Sequence, residues 1–450
     1  WSLVPAFSIS TLVTVDVNMR DFIVAVMLLG VVAVGVSATA APPTQVHLYL
    51  TGVQDEMMVS YVTQDTVTDT QVRYGKSATS LTSTVSGTSE SFEAGVGHTI
   101  MLHEAKMTGL GTTPTQWFYQ VGSSQQWSAV MNFTANIAVE GGNTYAVYAD
   151  FGLVNDVSLD ALKDELDSGS YQTVIHAGDF AYDLHSNNGV TGDDFLEDIS
   201  TISSHIPYMG VPGNHEEQNN FTQYDHRFNA LMTGAGTTSA SGTPRWYSFD
   251  EGLIHWVGID TEVYRYSHSA GQIERQLNWL KADLAKANEN RKNVPWIAMY
   301  GHKAWWMDNT NFTGFGDIAH ANGVDVYFCG HVHNYERFYP EYNGAVDKSC
   351  VTSPGVYTDP KFMVTLVAGS PGCQEHISSE NGPADALAVK SHTYGFGLFT
   401  AHNTSHASWQ WVQTLKPTGD RLPSGELDYV QVRNVQDTLT IVQTSHGPRT

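Results

Sequence analysis

Five apolar runs in the chain end alike, and that repetition constrains the fold more than any other feature. "TYAVYAD" runs into Asp150-Phe151-Gly152, "QTVIHAGD" into Gly178-Asp179-Phe180-Ala181-Tyr182, and "IPYMGVPG" into Gly213-Asn214-His215-Glu216. "VPWIAMYGH" ends in Gly301-His302 and "VDVYFCGH" in Gly330-His331-Val332-His333. The runs are short and rich in β-branched and aromatic residues, so they read as buried strands. "LIHWVGID" and "FMVTLVAGS" read the same way. Helical spacing lies between them. Leu159, Leu162 and Leu166 share one face, with Ser158 placed to cap the start and Gly169 beyond the end. Ile273, Leu277, Leu280 and Leu284 mark a second helix in "GQIERQLNWLKADLAKAN". Such alternation predicts an α/β layered domain with helices outside a mostly buried sheet. In open sheets of this class the site forms in loops beyond the carboxyl ends of the strands. Glycine there lets the backbone turn tightly and come close.

Each motif alone is weak, since a turn accounts for it as well. Together they suggest chemistry. Asp and Tyr are hard, anionic oxygen donors suited to a trivalent ion, whereas His, Asn and a shared carboxylate suit a divalent one. Asp179 could bridge two ions and hold them roughly 3.5–4 Å apart, as two-metal phosphate chemistry requires. A metal-bound hydroxide would then attack phosphorus in line. His215 could hydrogen-bond the phosphate or protonate the leaving oxygen. His176 and His255 lie inside strands and read as packed or hydrogen-bonded core residues. Glu216, Asp260 and Glu262 read as supporting loop groups, and Tyr335-Glu336-Arg337 as support behind a metal-bearing turn. Trp305 and Trp306 either line an entrance or pack under a loop.

The rest of the chain supplies context. Met19-Arg20 precedes the 15-residue apolar run Phe22–Val36 and the small residues Ser37–Ala40. That is the pattern of a secretory signal, too short to span a membrane comfortably. Residues 1–40 are therefore expected to be leader and signal, cleaved after Ala40. From 41 to 140 short alternating strands predict an all-β sandwich, with "EGGN" as linker. Residues 141–415 form the expected catalytic domain, completed by 416–450, where a terminal hairpin is expected. Asn132, Asn220, Asn311 and Asn403 sit in glycosylation triplets, which suit a secreted or vacuole-type protein. Cys329 reads as a buried thiol; Cys350 and Cys373 could form one disulfide, though the count of three leaves pairing open. The formal charge of −24 argues against a binder of nucleic acid backbone, but not against a small phosphorylated substrate drawn to metal ions.

The ordered set "DFG", "GDFAY", "GNHE", "GH" and "GHVH" closely resembles the purple acid phosphatases within the calcineurin-like metallophosphoesterases. It looks most like their secreted, high-molecular-weight plant and fungal type. Supporting stretches are "PPTQVHLYLTG", "RWYSFDEGLIHWVGIDTE" and "YGFGLFTAHNTSHASWQW", so the resemblance covers nearly all of the mature chain. It implies a four-layer α/β/β/α sandwich behind a fibronectin-III-like N-terminal domain. It implies an acid phosphatase acting on small phosphomonoesters at a dinuclear Fe(III)–M(II) centre. Carried over by motif, Fe(III) would take Asp150, Asp179, Tyr182 and His333. The divalent ion (Zn, Fe or Mn) would take Asp179, Asn214, His302 and His331. The Tyr182 phenolate would give a purple colour. Asn214 and His215 would touch substrate. Diester or pyrophosphate cleavage at the same centre, or an idle metal-binding glycoprotein, are the alternative readings. Members of this type often dimerise, which stays open here, and no membrane contact is expected after signal cleavage. One departure stands out. Family members often carry histidines soon after the fourth motif, but Lys303–Asp317 contains none. Lys303, Asn309 or Asn311 would have to contact phosphate instead.

Overall fold

The structure is a computed structural model that describes residues 41–67, 69–265, 270–304, 314–421 and 427–449. The expected leader and signal, Trp305, Trp306, Asn309 and Asn311 lie outside these residues. Among the described residues no helix is long and apolar enough to cross a membrane.

The N-terminal part is two four-stranded antiparallel sheets. The first runs in the order Thr44–Tyr49, Glu56–Thr63, His98–Thr108, Thr88–Gly95; the second Ser83–Ser86, Gln71–Gly75, Thr115–Gly122, Met131–Ala135. Period-two alternation builds the core. In His98–Thr108, His103, Ala105 and Met107 point in while Lys106 and Thr108 point out. Ala105 and Met107 join Val59, Tyr61, Val72, Trp117, Tyr119 and Phe133 in one cluster. The body after it receives Tyr119 Oη, which donates to the Ser204 carbonyl at 2.6 Å, and returns Ser203 Oγ to the Val46 carbonyl at 2.9 Å.

Two larger sheets face each other behind this unit. In one, Thr144–Tyr148, Thr173–Ala177 and Tyr208–Val211 run parallel, and Gly395–Ala401, His406–Arg421 and Leu427–Val442 extend it antiparallel. In the other, Ile254–Gly258, Trp296–Tyr300, Val326–Cys329 and Val364–Ala368 run parallel. The facing surfaces meet through aromatic rings. Phe399 lies 6.2 Å from Trp256 and 5.1 Å from Phe328, and Phe328 lies 5.4 Å from Trp409. Gly397 makes room for this: a Cβ there would strike the Trp409 indole. Leu280 and Leu284 of the helix Ala270–Glu289 cover the outer face of the second sheet against Val257, Ile297 and Met299. The helices Leu159–Asp167 and Val190–Ser203 pack with the first sheet through Leu162, Phe195 and Ile199. The layering is thus α/β/β/α, with an all-β N-terminal domain.

Several local expectations change. Helices Val190–Ser203, Gln218–Arg227 and Phe315–Ala321 were not anticipated. Ser158 does precede the helix Leu159–Asp167, but its hydroxyl lies 2.8 Å from Thr414 Oγ1 and does not cap the helix. The terminal hairpin is far longer than expected, with Leu427–Val442 pairing along His406–Arg421. Cys350 and Cys373 do not form a disulfide: all three cysteines are free and buried. Each is engaged separately, Cys350 Sγ with the Asp347 carbonyl at 3.1 Å and Cys373 Sγ with His333 Nδ1 at 3.5 Å.

Candidate metal centre

Parallel strands aim their carboxyl ends the same way, and here the five motif turns meet. Asp150, Asp179, Tyr182 and His331 all adopt left-handed backbone, with φ of 63°, 59°, 50° and 68°. Such conformations cost on the order of 1–3 kcal/mol each for side-chain-bearing residues, so surrounding contacts must hold them. Asp150 N donates to the Gly178 carbonyl at 2.9 Å and Phe151 N to the Asp179 carbonyl at 3.1 Å. The buried Glu216 carboxylate accepts from the amides of Asp179, Phe180 and Gly213 at 2.9, 2.9 and 2.8 Å, tying two turns together. Burial and the nearby Asp179 charge push the Glu216 pKa up. The motif glycines allow close approach. A Cβ on Gly213 would be driven into Asp179 Oδ1, and one on Gly330 into Asp150 Oδ2.

The donors fall into two groups joined by backbone bonds. In the first, Tyr182 Oη donates to Asp150 Oδ1 at 3.1 Å and lies 2.7 Å from His333 Nε2. His333 Nδ1 faces the His376 carbonyl at 3.0 Å, which directs Nε2 inward. In the second, His302 Nε2 lies 3.0 Å from Asn214 Oδ1 and 3.1 Å from Asp179 Oδ2. The ligand atoms of Asp179, His302 and His331 all lie within 4.8 Å of one another. His331 N donates to Asp150 Oδ2 at 2.8 Å, and His215 N to Asp179 Oδ1 at 2.9 Å. Asp179, Asn214, His215, His331 and His333 line a cleft of about 360 Å³. Asp150, Tyr182 and His302 lie just beneath, bonded to those lining residues.

The charges favour a cation. Asp150 and Asp179 are 0% and 1% exposed, and among the described residues neither is paired with Lys or Arg. Histidines answer them instead. Burial alone would lower the pKa of His302, but Asp179 beside it raises it to about 9. Burial works against His333 in the same way, and its bonds to Asp150 and Cys373 lift it to about 11. Burial and the Asp150 and Asp179 charges push the Tyr182 phenol well up, so it ionises only beside a strong positive charge. A set of carboxylate, imidazole, amide and phenol donors converging on one place fits hard and borderline metal ions.

His215 stands at the rim of this group. Its Nδ1 lies 2.5 Å from Asp183 Oδ1, and its Nε2 is 3.5 Å from Glu375 Oε1. Burial would lower its pKa; the Asp183 bond and the Asp179 charge raise it to about 10. The far wall of the cleft is Glu375, His376, Ser378 and Glu380, on a loop that sequence reasoning missed. No motif or periodicity marks that segment. Lys303 is corrected: it is 3% exposed, and its Nζ donates to Glu262 Oε2 at 3.0 Å, so its charge is spent inside the fold. It is not among the described residues lining the cleft. His176 is fully buried, and His255 sits between Asp250 and Asp283 at 2.6 and 2.9 Å. Tyr335 and Arg337 both bind Asp437, consistent with support.

Three family models match successive parts of the chain: "Purple acid Phosphatase, N-terminal domain" over residues 43–135, "Calcineurin-like phosphoesterase" over 144–335, and "Iron/zinc purple acid phosphatase-like protein C" over 362–420. The acid phosphatase type 7 of Danio rerio is 33% identical over 436 residues, covering 90% of this chain and 92% of that protein. Purple acid phosphatase 21 of Arabidopsis thaliana is 28% identical, covering 82% and 81%. The solved purple acid phosphatase PPD1 from yellow lupin seeds shares the fold, with a TM-score of 0.67 at 18% identity, over 89% of this chain and 74% of that one.

Proposed function

This chain belongs to the purple acid phosphatase family, and from that premise we propose that it hydrolyses phosphomonoesters at acidic pH, outside the cell or in a vacuole-type compartment, using Fe(III) and a divalent ion (Zn, Fe or Mn). It is an acid phosphatase and a metallophosphoesterase. One observation carries the finer reading: among the described residues the two buried carboxylates, Asp150 and Asp179, are met by the side chains of Tyr182, His333 and His302, with Asn214 beside His302, where five turns converge. Asp150, Asp179, Tyr182 and His333 would hold the trivalent ion; Asp179, Asn214, His302 and His331 the divalent one. When bound, such a pair acidifies water and offsets the negative charge of phosphoryl oxygens.

The chain's own residues supply the rest. Asp183 holds the His215 ring by Nδ1 and leaves Nε2 toward the cleft. Held by Asp183, which favours its charged form, His215 can carry a proton and offer it to the leaving oxygen. The Asn214 amide reaches the same cleft and can donate to a phosphoryl oxygen. Glu216 keeps the Asp179 and Asn214 turns in register. For secretion, the support is the apolar leader together with the glycosylation triplets; Asn220 and Asn403 are exposed and Asn132 is half-buried. Glycosidase treatment of the secreted protein checks that part.

The test of the chemistry is metal analysis and a visible spectrum, beside turnover of p-nitrophenyl phosphate and its bis-ester. The expected result is about one iron and one further ion per chain, with faster turnover of the monoester at acidic pH. A metal-replete protein that releases no phosphate, or that prefers the bis-ester, overturns the reading.

A further inference from the structure

Away from the cleft, a cavity of about 180 Å³ lies between the first N-terminal sheet and the helices Val190–Ser203, Gln218–Arg227 and Asn229–Thr233. Its lining mixes hydroxyl, amide, imidazole and carboxylate groups with apolar side chains. Gln45 is only 5% exposed, yet its Oε1 has no hydrogen-bond partner. A buried amide oxygen left this way is costly unless something occupies the space beside it. His47 Nε2 faces the Tyr208 carbonyl at 3.2 Å, so Nε2 carries the proton and Nδ1 is an acceptor. Burial pushes the pKa of His47 down to about 3, so the ring stays neutral.

Glu104 in the same wall is half-buried. It accepts from Asn229 Nδ2 at 3.2 Å, Thr233 Oγ1 at 3.1 Å and Thr88 Oγ1 at 3.3 Å, all neutral donors. The lining does contain cationic groups, but they are committed elsewhere. Arg227 spends its nitrogens on Asp193, Gln223 and the Gly189 carbonyl. His226 lies 3.0 Å from Glu90. Among the described residues Glu104 therefore has only neutral donors and no counter-cation. Val62, Leu102 and Leu196 give the cavity an apolar part, beside Ser60, Ser89 and Thr88.

We propose that this cavity binds a small protonated alkylamine, with its ammonium group on Glu104 and Gln45 and its carbon chain against Val62, Leu102 and Leu196. An ammonium supplies the N–H donor that Gln45 Oε1 lacks and a positive charge for Glu104. The small volume favours a short chain over a drug-sized ligand. The site shares no residue with the catalytic cleft, so it stands or falls apart from the phosphatase reading.

The probe is n-butylamine, with n-butanol as the neutral control of the same shape. Each is titrated into the full chain by calorimetry at constant ionic strength. Saturable one-to-one binding of the amine, about tenfold or more tighter than the alcohol, is expected, as a charge-assisted hydrogen bond would give. Glu104→Gln should weaken amine binding about tenfold or more and leave turnover of p-nitrophenyl phosphate unchanged. Ser89→Phe, which fills the cavity from the strand Thr88–Gly95, should abolish binding. The proposal is overturned if the wild-type chain gives no saturable heat with the amine, if the alcohol binds as tightly, or if sodium ions displace the amine at equal concentration. It is also overturned if both variants bind as well as wild type. Should Glu104→Gln not fold, the wild-type comparison and Ser89→Phe decide.

Discussion

Asp179 and Asp325 are both buried aspartates, 1% and 3% exposed, yet their surroundings differ in kind. Asp325 is answered by permanent charge: Arg291 Nη1 donates to it at 2.7 Å, and the Ile297 amide at 2.9 Å. Asp179 is answered by His302 at 3.1 Å and the His215 amide at 2.9 Å. A guanidinium cannot be exchanged for an incoming ion, whereas an imidazole can give up its proton and become a ligand. The first arrangement fixes structure; the second keeps a place for a cation.

The largest effect should come from Asp179→Asn. It should strip both ions and lower kcat/KM by about a thousandfold or more, roughly 4 kcal/mol of transition-state stabilisation. The melting temperature of the metal-free protein should hardly move. If the metal-free variant instead melts far below wild type, the contrast with Asp325 is false. Next comes Arg291→Met, which removes the nearest cation from Asp325 and leaves only the more distant His446 at 3.5 Å and Arg449 at 3.8 Å. Urea unfolding should show a loss of about 3–5 kcal/mol, with unaltered metal content in the folded fraction. Loss of metal there would mean that the two regions are not separable.

The third prediction concerns pH. Burial alone would raise the pKa of Asp325, but Arg291 and His446 outweigh it and bring the group down from 3.8 to about 2. The folded value is the depressed one, so its stabilisation is present above 3.8 and is lost as pH falls toward 2. It is worth about 2 kcal/mol. Urea midpoints measured across that window should converge for wild type and Asp325→Asn; parallel curves would refute the assignment. The smallest overall effect should be that of Tyr182→Phe, with stability changed by less than about 1 kcal/mol. Its signature is spectroscopic: the loaded protein should lose its visible colour. A variant that stays purple removes Tyr182 from the first group of donors.

How much of this was legible depended on whether a residue's role could be seen locally. The strand-end turns were readable because glycine beside Asp, Asn or His reflects a close approach that local geometry demands, as at Gly213 and Gly330. The sheets were readable from continuous apolar runs. The helix Val190–Ser203 was obscured because its buried face includes Gly192 and Asp193, the latter held by Arg227 at 2.7 Å. Gln218–Arg227 is polar along most of its length and buries Phe221 and Tyr224 among few apolar neighbours in sequence. Lys303 looked like a phosphate contact because its neighbour His302 is in the site; its partner Glu262 lies in a different loop, which no local pattern reveals. The loop carrying Glu375, His376 and Glu380 gains its place only from tertiary contacts, such as Gln374 Nε2 donating to the Tyr182 carbonyl at 2.6 Å.

The strand Thr144–Tyr148, which delivers Asp150, pairs on one side with Thr173–Ala177 and on the other with Gly395–Ala401. During synthesis the first neighbour emerges almost at once and the second only near the end of the chain. Until then the strand shows the ribosome's surroundings a raw edge with unpaired amides and carbonyls. A nascent chain stalled before residue 395 would thus carry every candidate ligand, from Asp150 to His333, on a sheet whose edge is still open.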